Sequence, residues 1–256
     1  MTAAPVLVDT SGPAWRVTLN RPQQGNACSA ELVRALDEAV ARAEAQGAQA
    51  LVLQGEGRHF CTGFDLSNLD SETDDTLLAR FVRIELLLQR IANAPFLTIA
   101  VAQGRTMGAG ADLFAACAVR LAQADAAFAF PGGRGFGLVL GTRRLAARVG
   151  AETALDWVES GRSVAADEAC RRGFVTSLVE GPQALDAVLS ARLHPDAWLR
   201  ATLRKAVDPH SADAAARDLD LLVRSAARPG LSQRVAAYVA RVAAARRSPA
   251  TPLAAS

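Results

Sequence analysis

An apolar run, Phe96 to Val101, stops at a glycine-rich loop, Gly104-Arg-Thr-Met-Gly-Ala-Gly110, and the chain resumes as a helix-like run from Ala111 to Ala116. No other stretch narrows the fold as much. Glycines at a strand-to-helix join let the backbone come close to a ligand or to another segment. The first N–H groups of the helix that follows have no partner within it. Such groups hold developing negative charge. One acid, Asp112, falls in the first turn. It has two readings, a helix-start acid that favours the dipole or a carboxylate placed beside a reactive centre.

A second join of the same kind lies about 40 residues earlier, where Leu51-Val-Leu-Gln54 runs into Gly55-Glu-Gly-Arg-His-Phe-Cys-Thr-Gly63 and then Phe64-Asp65-Leu66. Two such loops can bring two backbone N–H groups onto one oxygen, the arrangement of an oxyanion hole.

The rest of the chain repeats the alternation. Pro5 to Val8 and Trp15 to Leu19 read as paired strands around Ser11-Gly12-Pro13. Ser29 reads as an N-cap, with Leu32, Leu36 and Val40 at helical spacing up to about Ala45. Ala50 to Leu53 reads as a buried strand. Thr76 to Ala92 reads as an amphipathic helix ended by Pro95. Short strands are expected near Val119 and Ala127. Strand–helix alternation of this kind argues a mainly parallel α/β sheet with helical crossovers. From about Asp196 the pattern is helical, over 197–207, 213–227 and 232–246, punctuated by Pro209 and Pro229-Gly230. The tail, 248–256, reads as disordered.

Five pieces in register resemble the crotonase superfamily, also called the enoyl-CoA hydratase/isomerase family. They are Val17-Thr-Leu-Asn-Arg-Pro22 with Asn26-Ala27, Gly57 to Leu66, Pro95 to Gly104, Met107 to Leu113, and Ala126 to Pro131. The resemblance spans roughly residues 5 to 180. It implies an α/β fold with a crotonase-like ββα spiral over residues 1–195, carrying the acyl-CoA site. It also implies a C-terminal helical region, 196–256, that packs the chain into a homotrimer or a dimer of trimers.

Carried over position by position, the oxyanion-hole donors are the backbone N–H groups of Phe64 and Ala109. Gly63, Asp65, Leu66, Gly108, Gly132 and Phe136 line the substrate site. Asp112 stands where hydratases carry their first glutamate and becomes the candidate acid/base. The second glutamate position falls on Gly132, so two-carboxylate hydration is in doubt. The resemblance implies an acyl-CoA thioester as substrate, with coenzyme A part of that substrate and no separate cofactor. It implies an enzyme that stabilises a thioester enolate, with hydratase or isomerase chemistry first. The alternatives are a decarboxylase or thioesterase, or a catalytically silent acyl-CoA-binding homologue. The basic residue common before Asn26-Ala27 is replaced by Gly25, which removes one usual phosphate contact.

Composition closes several other routes. The formal net charge is +2 without a basic stripe, so no nucleic-acid footprint is expected. Four cysteines lack C-x-x-C spacing and three histidines lack ligand spacing, so no metal site is expected. No run approaches the ~18 apolar residues of a membrane span, and the N-terminus lacks a signal-peptide pattern. A cytoplasmic protein with reduced thiols is the expectation. His59 and Cys61 lie in the first glycine loop, with their side chains expected away from the reacting carbonyl. Arg21 reads as structural, and Arg134 as either an anion ligand or a solvated side chain.

Overall fold

The computed structural model describes residues 3–12, 14–181, 183–193 and 212–247, with 199, 202, 203 and 206 between them. Strands β1 (Val6–Asp9) and β2 (Ala14–Leu19) pair antiparallel, and Trp15, Val17 and Leu19 point inward. Helix α1 (Ala30–Ala45) opens at Ser29, whose hydroxyl accepts the Leu32 N–H at 3.1 Å. Its buried face carries Leu32, Leu36 and Val40, as their spacing requires.

Strand β3 (Ala50–Gly55) runs parallel to β2. Helix α2 (Asp74–Ala92) begins ahead of the expected Thr76, because Thr73 and Thr76 close a reciprocal capping box. Strand β4 (Leu97–Ala102) is parallel to β3. The stretch read as one glycine loop contains a further short strand, β5 (Arg105–Met107), and helix α3 starts at Ala109 rather than Ala111 (Ala109–Ala116).

Then come β6 (Val119–Ala122), β7 (Ala127–Ala129), α4 (Gly132–Phe136), α5 (Thr142–Val149) and α6 (Ala151–Ser160). They are followed by β8 (Val164–Ala165), α7 (Ala166–Arg171), β9 (Ser177–Leu178) and α8 (Gln183–Arg192). Helices α9 (Ala212–Ala226) and α10 (Leu231–Arg247) match the two later helical patterns. The helix expected over 197–207 lies largely outside the described residues, and the tail 248–256 lies wholly outside them.

The main sheet has the order β1-β2-β3-β4-β6-β9, parallel except for β1. A smaller sheet runs β5-β7-β8. Each turn of the chain gives a main-sheet strand, a short second-layer segment, and a helix. In the third turn these are β4, β5 and α3, and in the fourth β6, β7 and α4. In the first two turns the second layer shrinks to single bridges, Cys28 to Phe64 and Cys61 to Thr106. This is the ββα spiral that the resemblance implies.

Leu51 and Leu53 of β3 face the large core under α1, α2 and α3, while Ala50 and Val52 face a second core capped by Leu185, Val188 and Leu189 of α8. Burial on both faces is why β3 and β4 read as unbroken apolar runs.

Candidate active site

Residues 60–65 form a ribbon held on both sides by backbone. On one side Thr62 N–H donates to Gly25 O (2.9 Å), Cys28 N–H to Gly63 O (2.7 Å), and Asp65 N–H to Cys28 O (3.3 Å). On the other, Phe60 N–H donates to Gln103 O (2.9 Å), and Met107 N–H to Cys61 O (3.0 Å). Because Cys28 bonds the residues on either side of Phe64, the Phe64 N–H faces away from it.

The same clamp fixes where α3 begins. A Cβ on Gly110 would lie 2.2 Å from the Cys61 carbonyl oxygen, so only glycine permits this approach. A Cβ on Gly63 would lie 3.7 Å from the Ala109 nitrogen. The two loops therefore meet backbone to backbone. Ala109 is the first residue of α3, where no intrahelical acceptor exists. Among the described residues, neither Phe64 N–H nor Ala109 N–H has a backbone acceptor. Alanine is accommodated at this position, since Ala109 is not in the left-handed region.

The Asn26-Ala27 turn serves this scaffold. Asn26 Nδ2 donates to Glu56 O and His59 O at 2.9 and 2.7 Å. Arg21 reaches Asp65 Oδ2 at 2.7 Å and Ala27 O at 2.9 Å. Burial raises the Asp65 pKa, but hydrogen bonds from Ser67 and Arg21 outweigh it and hold the carboxyl below its ordinary range. The Asp65 side chain thus braces the loop.

Phe64 is fixed by its ring, which stacks on Phe81 at 4.4 Å between centroids and lies 4.2 Å from the Arg80 guanidinium. His59 turns to the far side, where Nδ1 accepts the Arg105 N–H at 3.1 Å. Burial, then Arg58 and Arg105, push its pKa down. Cys61 packs against Cys28 with sulfurs 3.6 Å apart, both buried.

Asp112 is 4% exposed and its Oδ1 has no hydrogen-bond partner among the described residues. Burial drives its pKa well above the ordinary aspartate value. Arg144 pulls it back and Glu85 pushes it further up. Behind it, Arg144 of α5 pairs with Glu85 of α2 and reaches Asp218 of α9 at 3.1 Å, and Arg143 also grips Asp218 at 2.6 Å. Arg144 and Glu85 are 2% and 1% exposed in their side chains. Glu85→Leu leaves the Arg144 charge short of a partner in the interior, at a cost of about 3–5 kcal/mol. The expected thermal-denaturation result is a Tm lower by on the order of 10 °C; an unchanged Tm would mean that the network is not what joins α2 to α5.

Gly63, Phe64, Leu66, Gly108, Ala109, Asp112, Gly132 and Phe136 all line one cavity of about 80 Å³. Of the residues expected there, only Asp65 is absent from its wall. Among the described residues Asp112 is the sole carboxylate on the wall. Phe81, Leu138, Leu140, Thr142 and Tyr238 are among the other residues that line it. Sequence reasoning missed these because α2, α5 and α10 reach the site only through tertiary packing; Phe81, at a core-facing spacing of α2, reads as ordinary core.

Past Pro131, Gly133, Phe136 and Tyr238 the cavity adjoins a cleft of about 950 Å³. Arg134, Arg228, Arg234 and Arg241 line that cleft. Arg134, Arg234 and Arg241 donate to backbone carbonyls, including Glu159 O for Arg134, Phe136 O for Arg234 and Gly135 O for Arg241. No carboxylate pairs with any of the four among the described residues. Among the described residues no group of three or more His, Cys, Asp or Glu could hold a metal ion, and no helix is long and apolar enough to cross a membrane.

The stacked ββα turns and the two abutting glycine loops have the form of a crotonase-type α/β fold. Comparison with known proteins specifies the family. The sequence pattern described as Enoyl-CoA hydratase/isomerase matches residues 11–224. A probable enoyl-CoA hydratase of Rhizobium meliloti (strain 1021) is 34% identical over 200 residues, 75% of each chain. A probable enoyl-CoA hydratase of Bacillus subtilis (strain 168) is 32% identical over 167 residues; the match spans 62% of this chain and 63% of that one, just under two thirds of the relative's length. The crystal structure of a putative enoyl-CoA hydratase/isomerase from Bordetella parapertussis superimposes with a TM-score of 0.88 at 44% identity, covering 93% of this chain and 99% of that one. The chain belongs to the enoyl-CoA hydratase/isomerase family.

Proposed function

We propose that the chain processes an acyl-CoA thioester by stabilising its enolate between the Phe64 and Ala109 N–H groups, with Asp112 moving the proton. One observation carries this reading: two backbone donors without backbone acceptors and a single buried carboxyl line the same small cavity. A thioester oxygen seated between the donors takes up negative charge as the α-proton leaves, and fixed N–H dipoles stabilise that charge without reorganisation. Asp112, its pKa raised by burial, donates a proton to the α-carbon in its acid form and accepts one in its base form. The arginine-lined cleft supports placing the phosphates of coenzyme A outside Pro131 and Tyr238, since four cations without acidic partners among the described residues favour an anion.

Gly132 on the cavity wall favours a second reading. Without a carboxylate there, decarboxylation of a malonyl-type thioester or thioester hydrolysis needs only the hole and few acid–base groups. The assembly that supports the site is proposed as a homotrimer or a dimer of trimers, in the cytoplasm.

Mass spectrometry of 2-enoyl, 3-enoyl, malonyl-type and saturated thioesters after incubation with the enzyme separates these readings. The expected result is conversion of an enoyl thioester, with gain of one water for a hydratase or an unchanged mass and shifted double bond for an isomerase. Loss of CO₂ from the malonyl-type thioester, or release of free coenzyme A, transfers the assignment to the second reading. No conversion of any member contradicts both.

A further inference from the structure

Four aromatic rings from four separate segments form a column along the cavity. Phe64 follows β3, Phe81 belongs to α2, Phe136 to α4 and Tyr238 to α10. Phe81 lies 4.4 Å from Phe64 and 6.1 Å from Phe136, and Phe136 meets Tyr238 edge-on at 5.5 Å. Phe81 is 1% exposed, so its ring cannot withdraw without breaking both contacts and disturbing the core of α2. Leu138 and Leu140 line the cavity with the column.

The space they leave is about 80 Å³. An apolar cavity of about 150 Å³ accepts a benzene ring. This cavity therefore has roughly half the room a phenyl group needs. We infer that the enzyme is specific for short, unbranched acyl groups of about four carbons, and that Phe81 sets the limit. The inference rests on the reading of this cavity as the acyl site.

Isothermal titration with saturated thioesters tests it without requiring turnover. Acetyl-, butyryl-, hexanoyl-, octanoyl- and benzoyl-CoA are titrated beside coenzyme A. Each methylene buried adds about fourfold in affinity, so butyryl-CoA is expected to bind at least tenfold more tightly than acetyl-CoA. Hexanoyl- and octanoyl-CoA are expected to gain nothing further, and benzoyl-CoA to bind no better than coenzyme A. Phe81→Leu is expected to move the break, so that hexanoyl-CoA binds at least tenfold more tightly than to the wild type. Leu140→Ala, at a half-buried position, repeats the test should Phe81→Leu not fold.

Affinity that climbs through octanoyl-CoA in the wild type, or benzoyl-CoA bound as tightly as butyryl-CoA, overturns the size limit and leaves the acyl-CoA reading standing. An unmoved break in both variants overturns the role of this wall. Absence of binding by every thioester removes the acyl-CoA reading, and the size limit with it.

Discussion

Asp112→Asn lowers kcat by about 10²–10⁴-fold and at the same time makes the protein more stable at pH 8. The activity loss follows from geometry. Among the described residues Asp112 is the only carboxylate that lines the cavity, and Gly132 on the same wall supplies none. Asparagine keeps the size of the side chain but can neither take nor release a proton.

The stability gain follows from linkage. Burial raises the folded-state pKa of Asp112 above its ordinary 3.8, so the native state binds its proton more tightly than the unfolded chain. That contribution favours folding at pH below about 3.8 and is lost progressively as pH rises from there through the raised pKa. Removing the titration removes the loss. The Tm difference between Asp112→Asn and wild type is expected to be small at pH 4 and to grow toward pH 8, at about 2–4 °C for each kcal/mol recovered. Calorimetry across that range, beside kcat on the converted substrate, checks both halves. A variant that keeps wild-type kcat would remove Asp112 from the chemistry, whatever its stability.

Gly110→Ala slows turnover at least 10²-fold, for a different reason. A methyl group here would sit 2.2 Å from the Cys61 carbonyl oxygen, a distance no carbon–oxygen pair tolerates. The neighbour is backbone in the first glycine loop, so relief requires the two loops to separate. Separation moves Ala109 N–H away from Phe64 N–H, and loss of one such donor alone costs about 10²–10³ in rate. The Cys61 carbonyl also accepts the Met107 N–H, so the β5 join is loosened with it. The expected variant is less stable and at least 10²-fold slower. Gly12→Ala, in open space at the first hairpin, serves as the control with near-normal activity. Full activity in Gly110→Ala would mean that contact between the loops is irrelevant to catalysis.

The sequence carried most of this site because the loops are local features. Each donor lies within a few residues of a strand end, and glycines mark where one backbone must press on another. Asp112 was legible for the same reason, one helical turn from the join. Less legible was whatever depends on segments far apart. Arg144 meets Glu85 across 59 positions and Asp218 across 74, and no spacing rule links them. Helix α4 was hidden by its own composition, Gly132-Gly133-Arg134-Gly135-Phe136, since glycine is among the poorest helix formers. Its carbonyls are held by Arg234 and Arg241 of α10, a tertiary support invisible from the local sequence. Strand β5 was hidden by its brevity, for three residues inside a glycine loop show no period. The aromatic column needed Phe64, Phe81, Phe136 and Tyr238 to be brought together by folding; the resemblance placed Phe64 and Phe136 at the site, while no local signal pointed to Phe81 or Tyr238.

The most direct measurement is the vibrational spectrum of a bound thioester with ¹³C at its carbonyl. Butyryl-CoA, which lacks a double bond to hydrate, is bound to the wild type, and the isotope-edited carbonyl band is compared with that of the free thioester. Two N–H donors on one oxygen draw electron density from the C=O bond, so a clear shift to lower frequency is expected, with the shift lost in Gly110→Ala. A bound carbonyl that absorbs at its solution frequency would contradict a hole formed by Phe64 and Ala109.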